Sequence, residues 1–163
     1  MRADYSAARR SAVVMLMFAV VAGGPASIAQ RADSPRPEAV IDTPEFMTLL
    51  LKPAYVDVQR AVDRPPADRA EWAATYQKAV RLAETANLLF IRRHAGADTP
   101  EWAQRSAAAR DAGAAVVDAV LVGLRNARPQ DFEQVTAAFA QVSVACNACH
   151  RRFGGTNAPT IRD

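Results

Sequence analysis

The sequence predicts an all-α fold, an antiparallel up-down four-helix bundle, on three observations. Four successive segments carry apolar residues at alternating spacings of three and four, the pattern of a helix face turned to a core. Each segment opens on a helix-start signal and closes on a short break holding Pro or Gly. Connections of only a few residues make sequential helices antiparallel neighbours. No segment alternates with the period of two that a strand needs.

Two stretches precede the bundle. The N-terminus MRADYSAARR is basic, an apolar run follows from Ala12 to Ala22, and Ser27-Ile28-Ala29 supplies small residues. These are the parts of a secretory signal peptide, residues 1–29, cut after Ala29. The apolar run is too short to cross a bilayer, which takes about 20 residues, so no stable membrane insertion is expected after cleavage. Residues 30–42 are polar, rich in Pro and charge and without period, and read as a flexible leader.

The bundle itself is placed at residues 43–155. Thr43-Pro44-Glu45 opens the first helix with an N-cap hydroxyl, a proline at the first helical position and an acid in the first turn. Its stripe is Met47, Leu51, Ala54, Val58 and Ala61, and Pro53 is expected to kink it. Asp68 opens the second helix, with Glu71 completing a capping box. That helix runs to about Arg93 on a stripe of Trp72, Tyr76, Ala79, Ala83, Ala86 and Phe90. Thr99-Pro100-Glu101 opens the third, with Trp102, Ser106, Ala109, Gly113, Val116, Val120 and Gly123 inward, and Pro129 ends it. The fourth opens at Asp131 or just before, carries Phe132, Val135, Phe139, Val142, Cys146 and Cys149, and stops at Gly154-Gly155. Residues 156–163 are left as a C-terminal tail. Trp72 and Trp102 read as core. The alanines of the third and fourth helices either allow close packing or make room for a flat cofactor.

The full chain of 163 residues has a formal charge of +3. Removing the signal peptide takes Arg2, Arg9 and Arg10 with Asp4 and leaves the remainder near neutrality. No basic stripe with interleaved aromatics exists of the kind that tracks nucleic acid.

Chemistry concentrates at Cys146-Asn147-Ala148-Cys149-His150, a C-x-x-C-H sequence that holds both cysteines of the chain and one of its two histidines. This is the covalent haem c attachment motif. Residues three and four apart share a helix face, so Cys146 and Cys149 can each bond a vinyl group while His150 offers a nitrogen to the iron. A disulfide would leave His150 unexplained. A thioredoxin-like pair needs a helix N-terminus to lower its thiol pKa, and this pair lies at a C-terminus. Structural zinc needs four ligands, and His94 alone is left to complete a set.

CNACHRRF close to the C-terminus of an exported four-helix domain resembles the class II cytochromes c, the cytochromes c′ and their low-spin, methionine-ligated relatives. The resemblance covers the chain after the signal peptide in architecture, and Cys146, Cys149 and His150 at the motif. It implies a periplasmic location, one covalently attached haem c, electron transfer to a periplasmic redox partner rather than enzyme catalysis, and in some members binding of nitric oxide or carbon monoxide. Members of the family often form homodimers.

Met47 is the one methionine outside the signal peptide, and an up-down bundle puts the start of helix one beside the end of helix four. It is the expected distal iron ligand, in the region where low-spin relatives carry theirs; the plainer reading is a core filler. His94 is the rival, although Arg92-Arg93 before it and Ala95-Gly96 after it suggest an exposed helix end. The alternative function is a five-coordinate cytochrome c′-like protein that binds nitric oxide or carbon monoxide, with Phe46, Leu50 and Leu51 covering the open face. Cytochromes c′ commonly carry an Arg on helix one before the distal residue. Residues 43–51 hold no basic group, which weighs against that alternative. Arg151 and Arg152 are candidates for the haem propionates, or else cations at a helix end.

Overall fold

Four helices follow one another in the computed structural model, which describes residues 36–92, 99–156 and 158–161. The expected signal peptide, the first residues of the leader and His94 lie outside the described residues. No strand occurs among the described residues, and no helix there is long and apolar enough to cross a membrane.

Helix α1 consists of three pieces in a row: α-helical Thr43–Phe46, a π-helical turn Met47–Leu51 and α-helical Lys52–Ala61. Its cap is Asp42 rather than Thr43: the Asp42 carboxylate accepts the Glu45 N–H at 2.7 Å, and Thr43 lies buried inside the first turn. The expected kink at Pro53 is absent as a break. Proline has no N–H to give and its ring crowds the carbonyl four residues back. The turn ahead of it widens instead, so that the Lys52 N–H reaches Met47 O and the helix carries on to Ala61. The inserted residue rotates the buried face. Thr43 and Phe46 are buried before it; Leu51, Ala54, Tyr55 and Val58 after it; Met47 is half-buried between them.

Helix α2, Arg69–Asn87, is capped by Asp68 as expected, through the Glu71 N–H at 2.8 Å. The Glu71 carboxylate reaches one residue further back than a capping box, to Ala67 N at 2.8 Å, and takes both Arg64 guanidinium nitrogens at 2.8 Å. The helix tightens into a 3₁₀ turn at Leu88–Ile91. That change of pitch puts Leu89 into the core and leaves Phe90 41% exposed, so Phe90 is not an inner residue. Arg92 is buried against the start of α1. Its guanidinium lies 4.1 Å over the Phe46 ring and donates to Ile41 O at 3.0 Å.

Helix α3, Pro100–Asn126, starts at a Thr99 cap and buries the seven residues of its predicted stripe without exception. It ends where Ala127 takes a left-handed conformation, φ 52°, and gives its N–H to Gly123 O. Helix α4, Pro129–Phe153, opens two residues before Asp131, whose fully buried carboxylate accepts Arg128 N at 3.0 Å and Arg128 Nη2 at 2.9 Å.

Small residues set the spacing of the packed helices. A Cβ at Gly123, in the last turns of α3, would run into the Trp72 ring from the first turn of α2. One at Gly113 would come within 3.0 Å of the Ala83 Cα. At the other end of α3, Trp102 meets Phe153 edge to face at 5.2 Å, and Glu101 accepts from Arg152 Nε at 2.8 Å. Helix α1 packs along α2, but its backbone stands off α4. Long side chains bridge that gap: Tyr55 lies against the Phe139 ring at 4.9 Å and bonds the Ser143 hydroxyl at 2.8 Å.

Candidate functional site

Where α1 stands away from the end of α4, a cavity of about 690 Å³ opens, within the size range of a small-molecule or cofactor site, about 300–1,000 Å³. One wall is Cys146, Cys149, His150 and Phe153 of α4, with Trp102 of α3 behind them. The facing wall is Met47, Leu51 and Tyr55 of α1. Leu82 of α2 lines it too, and the C-terminal residues Ala158–Ile161 run along it. Most of the lining is apolar; its polar side chains include His150, Tyr55, Lys52, Gln59 and three threonines, Thr43, Thr48 and Thr160.

The structure therefore brings together on one cavity the four residues singled out in the sequence: Cys146, Cys149, His150 and Met47. The widened turn of α1 has a part in this. Without the extra residue, Met47 would fall on the line of Leu51, Ala54 and Val58; with it, Phe46 takes the core and Met47 is left at the cavity. Phe46 is fully buried away from the cavity wall, and Leu50 is 45% exposed. Of the three residues expected to cover an open iron face, only Leu51 lines the cavity. Arg151 and Arg152 are exposed; Arg152 is engaged with Glu101 and the Phe153 ring, and neither borders the cavity.

Both cysteines are free thiols. Burial, and then the neighbouring Cys149 charge, pushes the Cys146 pKa up to about 11. Burial also raises Cys149, against the opposing pull of Arg105. A thiol pair built for disulfide exchange needs the opposite shift. Among the described residues no group of three or more His, Cys, Asp or Glu side chains is placed to hold a bare metal ion.

His150 is oriented by the tail. Its Nδ1 stands 2.8 Å from the Pro159 carbonyl oxygen. A carbonyl only accepts, so Nδ1 carries the proton and Nε2 keeps its lone pair. Asn147 holds the same segment by two bonds: its carboxamide nitrogen donates to Ile161 O, and its carboxamide oxygen accepts from Ile161 N, both at 2.8 Å. The chain doubles back over α4 because Gly155 adopts φ 65° and because Gly154 has no Cβ to strike Ala158.

Sequence reasoning did not identify three parts of this site. Trp102 is buried as its stripe predicts, and it also reaches the cavity wall in a small cluster with Cys149 and Phe153, its indole N–H donating to Leu89 O at 3.2 Å. Phe153 and the Ala158–Ile161 segment were not singled out. Phe153 continues the three-and-four spacing one turn past Cys149, a signal that was there to be used. The tail carries no period at all. The alanines of α3 and α4 do not line the cavity; the space comes from the standing-off of α1. No family model, no curated protein and no solved structure matches the chain.

The walls accord with a flat, covalently anchored macrocycle. Two thiols three residues apart, an imidazole and a thioether line this one cavity, a set of groups that would suit a macrocycle attached through its side groups. A macrocycle that brings its own four nitrogens needs no cluster of carboxylates.

Proposed function

We propose that the chain is a mono-haem c-type cytochrome that transfers electrons, with an up-down bundle of the class II kind holding the group at the end of α4. The observation that carries this reading is the shared cavity of Cys146, Cys149, His150 and Met47. Cys146 and Cys149 would hold the group through two thioethers, each S–H adding across one vinyl group to give a C–S and a C–H bond with no oxidant needed. His150, through Nε2, and Met47, through its sulfur, would hold the iron. When bound, the haem supplies a one-electron couple whose potential a methionine ligand raises. The chain's contribution is to anchor, to orient and to exclude water: Leu51, Leu82, Trp102 and Phe153 surround the site with apolar surface. Export to the periplasm and a protein redox partner at the exposed mouth of the cavity belong to the same reading.

The test is expression with the haem-attachment machinery in the periplasm, followed by intact mass and visible spectra of both oxidation states, with and without carbon monoxide. The expected result is one haem per chain, lost in the Cys146→Ala, Cys149→Ala double variant. Low-spin spectra unmoved by carbon monoxide, and a Met47→Ala variant that turns high-spin, are expected for methionine ligation. A wild type that is high-spin and takes up carbon monoxide would assign the chain to the five-coordinate, gas-binding alternative. A matured chain without haem overturns both.

A further inference from the structure

We propose that Asn147 is a positioning residue for the haem ligand His150, acting through the C-terminal residues Ala158–Ile161; the inference rests on the haem reading above. Asn147 occupies a variable position of the attachment motif, where attachment itself asks nothing of the side chain. Here its carboxamide makes a two-bond clip to the backbone of Ile161, of the kind one strand makes to another. Two residues earlier on the same segment, the Pro159 carbonyl sits on His150 Nδ1. Ile161 also packs against the main core, and Gly154 leaves the space the returning chain occupies. Three features, the clip, the packing of Ile161 and the space at Gly154, thus hold one carbonyl against one ring nitrogen.

The consequence is electronic as well as steric. A ligand imidazole that donates its second N–H to a backbone carbonyl is locked in one tautomer and becomes a more basic donor. A more basic axial nitrogen favours the ferric state, so the clip holds the reduction potential down while Met47 holds it up. The clip also keeps that N–H engaged, since Pro159, held between Ala158 and Ile161 on the cavity lining, supplies its acceptor.

The experiment compares five holoproteins: wild type, Asn147→Leu, Asn147→Asp, a chain ending at residue 157, and that shortened chain carrying Asn147→Leu. Leucine keeps the size of the side chain and removes both bonds. Aspartate keeps the acceptor for Ile161 N and loses the donor to Ile161 O. Each is checked first for one covalent haem by mass. Midpoint potential, the exchange rate of the His150 ring N–H in the ferrous protein and amide exchange at Ile161 are then read. Expected are a shift of about tenfold toward the ferrous form in Asn147→Leu, about 59 mV upward for one electron, and faster loss of the ring proton. The shortened chain should show the same shift, with no further change when Asn147→Leu is added to it, and aspartate should fall between. Unchanged potential and ring-proton exchange in Asn147→Leu and in the shortened chain, both loaded, overturn this inference alone. A wild type carrying no haem overturns the haem reading on which it stands.

Discussion

Tyr55 shows what a single side chain does in this fold. It spans the gap between α1 and α4 with a ring on Phe139 and a hydroxyl on Ser143, and it also borders the cavity. A buried hydrogen bond of this kind contributes about 1 kcal/mol, and leaving its partner unsatisfied costs about 1–3 kcal/mol. Tyr55→Phe is therefore expected to lower unfolding stability by about 1–2 kcal/mol in urea titrations, and a cycle with Ser143→Ala should recover a coupling of about 1 kcal/mol. Glu71 acts at the same scale through charge. Its hydrogen bonds from Arg64 and from the Ala67 amide hold its carboxyl at a pKa of about 2, against an ordinary 4.5. A folded-state pKa below the unfolded one stabilises above the unfolded value and is lost as pH falls toward the folded value. The stability difference between wild type and Glu71→Gln should thus be full at pH 6 and shrink between about pH 4.5 and 2. Cys146 gives a kinetic counterpart. With its pKa at about 11 against an ordinary 9.0, the haem-free folded chain should alkylate ~100-fold more slowly at pH 8 than the chain in urea, from thiolate population alone.

At the scale of the element, two helix ends and one widened turn decide the outcome. Ala127 closes α3 in the left-handed region, which costs a residue with a Cβ about 1–2 kcal/mol. Ala127→Gly relieves that cost against glycine's larger unfolded-state entropy and should raise stability by up to ~1 kcal/mol in thermal or urea unfolding. Gly123→Ala should do the reverse, by about 1–3 kcal/mol, because the Trp72 ring fills the space a methyl would need. The helices whose burial follows one uninterrupted pitch were legible from spacing: α3 buries its predicted stripe residue for residue. Where the pitch changes, legibility fails. A 3₁₀ turn moved Leu89 in and Phe90 out, and a π turn moved Phe46 in and left Met47 half-buried. Periodicity assumes 3.6 residues per turn and cannot report either. That Cys146, Cys149 and His150 share one wall was legible because residues three and four apart share a helix face, whereas the Ala158–Ile161 segment was not, because bonds to Asn147 and His150, made across the chain, hold it.

For the whole molecule, the division that matters is between three helices packed on small residues and a fourth that stands off. The α2–α3 pair, which meets on Gly113 and Gly123, and the α3–α4 pair, which includes Trp102 on Phe153, join neighbours in sequence, so their contacts are local and close early in folding. Helix α1 has the open cavity beside it and long side chains for bridges. We expect pulse-labelled hydrogen exchange to protect the amides of α3 before those of Lys52–Ala61; simultaneous protection would contradict this order. Docking α1 last gives the molecule a history as well as a shape. While α1 is undocked, the cysteine pair would lie on an open three-helix face; once Tyr55 closes on Ser143, the way in narrows to the mouth of the cavity. On the proposed haem reading the cavity would then act as a clock for loading, and variants that hasten α1 docking should lower the yield of loaded protein without touching a single ligand.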